Sequence, residues 1–167
     1  MEPHYSSGSG SSASVMGHPL HPLLVTLPIG FLVGAAGSDL MYVFYNQDPF
    51  WIRASYWLIG AGLVAGAIAA VFGIWDIAAL RRARTMGIGW MHAAGNVIAL
   101  IITLLNFQLR TFDYEPPYGW ILSVIVVGIF AITGILGGEM VYRHGIAVSP
   151  GVGDHPEEKI HQDTGKM

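Results

Sequence analysis

The chain contains no cysteine among its 167 residues. That excludes disulfides, cysteine-ligated iron–sulfur clusters and cysteine-based zinc sites, so any metal held here must be held by nitrogen, oxygen or methionine sulfur. Charge is nearly as scarce, with Asp, Glu, Lys and Arg making up 11% of the residues and a net charge of −3. No basic run stands out, and nucleic acid is therefore not an expected partner. A helix-borne HExxH pattern, a phosphate-binding loop and a Ser/His/Asp set are all missing, so peptidase, nucleotide-dependent and acyl-transfer chemistry find no support. Whether the chain is an enzyme stays open.

What is abundant is apolar surface: 53% of the residues are apolar and the mean hydropathy is +0.51. Four runs carry it, residues 23–45, 54–80, 90–109 and 120–142. Each has about 20 residues or more, enough at a rise of ~1.5 Å per residue to cross a hydrocarbon core of ~30 Å. The links between them are short, which makes consecutive runs antiparallel neighbours. The expected fold is an all-α integral membrane protein, a four-helix up-down-up-down transmembrane bundle in the lipid bilayer spanning residues 18–147. Residues 1–17 and 148–167 are polar and interrupted by Gly, Ser and Pro, and are expected to be disordered tails. The first tail lacks the basic flank and apolar centre of a signal peptide. His4, His155 and His161 fall in the tails and are expected to be solvated. No internal repeat of the kind found in inverted-repeat transporters is visible.

Arg81, Arg82, Arg84 and Arg143 lie on the side of the tails, against Arg53 and Arg110 on the other. Positive charge is retained in the cytoplasm, so both termini are expected there.

Polar residues inside a span are costly and normally face the bundle interior with partners. At 100° per residue, His92, Asn96, Thr103, Asn106 and Arg110 share one stripe of the third span, and His21 and Asp39 share a face of the first. In each span the histidine and the charge at the far end are 18 residues, five turns, apart. These two spans run in the same direction, so His21 is expected level with His92, and Asp39 level with Arg110 and paired with it. Asp76 lies on the small-residue face of the second span with Gly62, Gly66 and Gly73. In the fourth span His144 precedes Gly145, a natural helix terminator. Glu139 has Arg143 four residues on, an ion-pair spacing. Plainer roles compete throughout: His18-Pro19 and His21-Pro22 suit a helix start, and Asn96, Thr103 and Asn106 suit hydrogen bonds between helices. Pro28 is expected to kink the first span.

Gly17 to Gly30 (GHPLHPLLVTLPIG), Gly73 to Asp76, His92 with Asn96, and Gly137 to Gly145 (GGEMVYRHG) together resemble a bacterial family of small predicted four-span membrane proteins of unknown function. The resemblance implies the bacterial inner membrane. Some members of that family are joined to a Rieske-type iron–sulfur domain, which implies electron-transfer company. This sequence shows no such domain, so an electron partner is expected to be a separate molecule or absent.

Two classes of function follow. In the first, the protein is redox-linked and carries b-type haem between histidines at the cytoplasmic end, with His21 and His92 as central ligands and His144 and His18 in reserve. A non-haem iron or zinc site built from His21, His92, His144 and Asp76 is the close competitor. In the second, titratable groups on the third span form a proton or ion pathway, or the polar residues only lock a packing and interaction protein, with homo-oligomer formation open.

Overall fold

A computed structural model describes residues 13–16 and 18–146. The expected tails, and with them His4, His155 and His161, otherwise lie outside the described residues. A two-stranded hairpin, β1 (Ser14–Val15) and β2 (His18–Pro19), leads into α1 (Leu20–Leu24) and α2 (Thr26–Phe44). Then come α3 (Pro49–Ala79), a short α4 (Arg81–Thr85), α5 (Gly87–Gln108) and α6 (Gly119–Tyr142). Four segments are long and apolar enough to cross a membrane: Leu20–Phe44, Pro49–Ala79, Gly87–Gln108 and Gly119–Tyr142. They are spans 1 to 4 below.

Span 1 is broken at Val25, three residues before Pro28. Pro28 has no N–H to give the Leu24 carbonyl, and at the same break the Thr26 hydroxyl donates to the neighbouring Leu23 carbonyl at 2.8 Å. Span 2 begins at Pro49, five residues before the apolar run does. Asp48 accepts from the Phe50 N–H at 2.9 Å, and a proline at the first helical position needs no partner for its missing N–H. The link after span 2, read from the sequence as a loop, contains α4, which buries Ala83 and leaves its arginines exposed. Span 4 ends with left-handed Gly145 (φ 62°), whose N–H reaches the Val141 carbonyl at 3.1 Å.

Each span packs on its sequence neighbours, and span 1 also packs on span 4, so the four form a closed ring with spans 1 and 3 on one diagonal. The burial pattern is inverted relative to a water-soluble bundle. Asp39 is 0% exposed and Arg110 5%, while Trp75 is 61% and Ile132 63%. The interior otherwise combines small and polar residues, Ala35, Ala69, Ala99, Ser55, Ser123, Thr103 and Asn106, with the larger apolar Leu32, Ile59 and Val126. Such an outer surface requires lipid around it, and small inner residues let helices approach where no hydrophobic effect drives them together. The Leu32 side chain lies over Gly62, and that of Leu100 over Gly66.

At the end away from the described termini, Arg110 is held by acceptors from all four spans. Nη1 and Nη2 each donate to one Asp39 oxygen at 2.7 Å, Nη1 also to the Ser55 hydroxyl at 2.9 Å, and Nε to Asn106 Oδ1 at 2.9 Å. Nη2 lies 3.4 Å from the Ser123 hydroxyl, which itself donates to Asp39 Oδ2 at 2.6 Å. Glu115, in the loop before span 4, lies 3.5 Å from Nη2. Breaking such a buried pair from one side strands a charge and typically costs about 3–5 kcal/mol. The costs are unequal here. Arg110→Gln leaves Asp39 and Glu115 together without a cation, whereas Asp39→Asn leaves Arg110 with Glu115. Denaturation in detergent should show Arg110→Gln as the more damaging single change, and the double variant as much less damaging than the two single effects added. Additive losses would contradict the pair.

Candidate cofactor site

At the opposite end, roughly 27 Å away by five helical turns, the diagonal is occupied by His21 and His92. Their ring centroids are 6.1 Å apart and their planes perpendicular, at 90°. His21 comes from the short α1 and His92 from the first turns of α5, so each imidazole projects from the start of its helix. Each is tied by Nδ1 to a main-chain carbonyl of the next span. His21 Nδ1 lies 2.9 Å from the Ala69 oxygen, and His92 Nδ1 2.8 Å from the Thr133 oxygen. A carbonyl oxygen only accepts, so both Nδ1 atoms carry the proton, and in the neutral ring Nε2 keeps its lone pair.

Four residues beyond each carbonyl stands a glycine, and each ring rests on it. A Cβ at Gly73 would lie 2.8 Å from His21 Cε1, and one at Gly137 would lie 3.0 Å from His92 Cε1. The same device, histidine to carbonyl with glycine one turn on, thus occurs once in spans 1 and 2 and once in spans 3 and 4. The sequence gives no hint of this repetition because its parts are backbone oxygens and absent side chains.

The two rings border a cavity of about 290 Å³ between the spans. That is near the low end of the ~300–1,000 Å³ usual for small-molecule sites. Small residues form part of its walls, Gly66, Ala69, Ala70 and Gly73 on span 2 and Gly134, Gly137 and Gly138 on span 4, beside larger side chains such as Ile77 and Phe130. Polar side chains are few: the two histidines, Asn96, Thr133 and Asp76. Asn96 Nδ2 donates to the His92 carbonyl at 2.8 Å and lies 3.2 Å from His92 Nε2, while the Thr133 hydroxyl donates to Asn96 Oδ1 at 3.3 Å. The Asn96 amide keeps its shorter bond to the carbonyl if a metal takes the Nε2 lone pair.

The other sequence candidates are placed differently. Asp76 is buried in the cavity wall, with one oxygen 3.4 Å from the Ala13 N–H. His18 is exposed on the hairpin, its Nδ1 3.1 Å from the Met16 carbonyl. His144 sits half-buried in the turn after span 4 and does not line the cavity. Arg143 pairs with Glu139 at 2.7 Å on the exposed side of that helix. Among the described residues no three His, Asp or Glu side chains come close enough to hold a metal ion together. The polar stripe of span 3 is not continuous: the Thr103 hydroxyl turns back to its own helix at the Ala99 carbonyl. A buried apolar layer of Leu32, Ile59, Ala99 and Val126 separates the histidine end from Arg110.

Sequence reasoning did not reach the carbonyls of Ala69 and Thr133, nor Ser55, Ser123 and Glu115. A single serine in an apolar span at the depth of a buried arginine is a readable signal for the two serines. The carbonyls leave none.

The family model described as "Predicted membrane protein (DUF2231)" matches residues 17–150. The chain belongs to the DUF2231 family. The match takes in all four spans, the cavity and both histidines of the diagonal. Neither the comparison with curated proteins nor that with solved structures finds a match. For this DUF2231 protein the geometry makes a direct spectroscopic prediction. With His21 and His92 labelled in ¹⁵N, the ligand-free protein should show both rings as the Nδ1–H tautomer, the minor form of free histidine in water. Nε2–H resonances for either ring would contradict the carbonyl contacts.

Proposed function

We propose that this protein is a redox-linked membrane protein that holds a b-type haem between His21 and His92, in the bacterial inner membrane with both termini in the cytoplasm. One observation carries the reading: two imidazoles on diagonal spans, each with Nδ1 fixed by a backbone carbonyl so that the Nε2 lone pair could bind a metal, that of His92 with the Asn96 amide 3.2 Å away. Metal-binding histidines characteristically give their second ring nitrogen to an acceptor, which fixes the tautomer and raises ligand basicity. The two ring centroids lie 6.1 Å apart, a spacing that would admit one metal ion held by both imidazoles at about 2 Å each. The fit extends to the walls. The small residues of spans 2 and 4 lie on the other diagonal, where a flat group bound across the His–His axis would extend.

Haem would supply a one-electron couple. The protein's own part is to fix the two ligands, to line the cavity with apolar side chains, and through burial and hydrogen bonds to Nδ1 to set the potential. The resemblance to relatives joined to Rieske-type domains supports electron transfer with a separate partner. A non-haem iron or zinc centre draws less support, because Asp76 is the sole sequence candidate besides the two histidines in the wall. A proton pathway along span 3 would have to cross the Leu32, Ile59, Ala99 and Val126 layer.

Expression with iron and a haem precursor, followed by absorbance and elemental analysis, tests the reading. Wild type should show a six-coordinate low-spin haem, His21→Ala and His92→Ala should each lose it or become five-coordinate, and His144→Ala should keep it. A colourless protein with one equivalent of iron or zinc would favour the non-haem site. Folded wild type with neither would remove the cofactor reading, and haem retained in both histidine variants would overturn the ligand assignment.

A further inference from the structure

Beside the ion pair at the Arg110 end stands a second acid with a buried side chain. Glu115 stands in the loop between spans 3 and 4, and its side chain is 3% exposed. Neither carboxyl oxygen makes a hydrogen bond of good geometry, although both are shut off from solvent. Its nearest cation is the Arg110 guanidinium at 3.5 Å, whose two amino groups are already committed to Asp39 at 2.7 Å each. Gly119 makes room for the group, since a Cβ there would meet Arg110 Nη2 at 2.7 Å and Glu115 Oε1 at 3.1 Å.

We propose that Glu115 is a proton-binding site at the Arg110 end of the bundle, and that its proton keeps the loop before span 4 closed over the Asp39–Arg110 pair. A second ionised carboxylate in this pocket would share one guanidinium with Asp39 and would lack the hydrogen bonds that a buried charge requires. The neutral acid removes the shared charge and lowers the cost of burial, since an unpartnered neutral group is far cheaper to bury than an unpartnered charge. Burial, and after it the Asp39 carboxylate, push the Glu115 carboxyl up to about 7, while Arg110 and the nearby Trp120 backbone N–H act in the opposite direction. Among the described residues the other side chains bonded to Arg110, Ser55 from span 2 and Asn106 and Ser123 from spans 3 and 4, are neutral. Arg53 and Asp113 pair with each other at 2.8 Å on the exposed side. This site is independent of any cofactor at the histidine end.

The proton exchanges with the water that the loop faces, so the site responds to pH on that side of the membrane. The folded protein binds this proton more tightly than the unfolded chain, whose carboxyl keeps the ordinary value of 4.5. Stability therefore falls as pH rises from about 4.5 to about 7 and is level above that. Thermal unfolding of wild type and Glu115→Gln across that range should show a loss in wild type that the variant lacks. Infrared spectroscopy reads the proton itself. Folded wild type should show a carboxylic acid band at pH 6 that disappears with a midpoint near 7, that shifts when glutamate is ¹³C-labelled, and that is absent from Glu115→Gln. The labelled wild-type spectrum decides the matter even if the variant does not fold. No labelled acid band at pH 6, or a band that survives in a folded Glu115→Gln protein, would overturn the proposal.

Discussion

One guanidinium organises the bundle. Arg110 draws Asp39 from span 1, Ser55 from span 2, Asn106 from span 3 and Ser123 from span 4 onto a single planar group. In hydrocarbon no water is present to satisfy any of these groups, so each displacement of a helix leaves a donor or acceptor unpaired. The apolar contacts cannot do this, because a lipid tail covers a leucine as well as another helix does. The Asp39–Arg110 bond also spans the diagonal, and by fixing spans 1 and 3 against each other at one end it fixes the level at which His21 and His92 meet at the other.

The two ends therefore play opposite parts. At the Arg110 end the interior is full of paired polar atoms, and the cavity there is only about 10 Å³. At the histidine end glycine and alanine on spans 2 and 4 help leave about 290 Å³, bordered by Asp76 and by two imidazoles restrained by main-chain oxygens. Between them lies the Leu32, Ile59, Ala99 and Val126 layer. A rigid polar clamp, an apolar partition and a space with two oriented ligands form a sequence of parts suited to holding a cofactor in place. They are less suited to passing protons from one face to the other.

The four spans are legible from length and hydropathy alone, since the membrane demands long apolar runs and tolerates few exceptions. The levels of Asp39, Arg110, His21 and His92 follow from helical periodicity, because a polar residue in a span must face inward and 18 residues are five whole turns. The early start of span 2 was readable in Asp48-Pro49, but the apolar run begins later and hides it. α4 is invisible to hydropathy because three of its five residues are arginine. Glu115 reads as an ordinary loop acid, and its burial depends on the way the loop folds back over Arg110. The repeated histidine–carbonyl–glycine device escapes any sequence comparison, because Ala69 and Thr133 take part only through their backbone oxygens.

The central claim is the proposal that His21 and His92 would together hold one haem with their ring planes perpendicular, as they stand in the bundle. Electron paramagnetic resonance of the oxidised protein tests it most directly, since the signal of a low-spin ferric haem depends on the angle between its axial imidazole planes. With the two rings perpendicular, at 90°, the account predicts the strongly anisotropic low-spin signal with one very large g value. A high-spin axial signal, meaning a single histidine ligand, or the ordinary rhombic signal of parallel rings would contradict it.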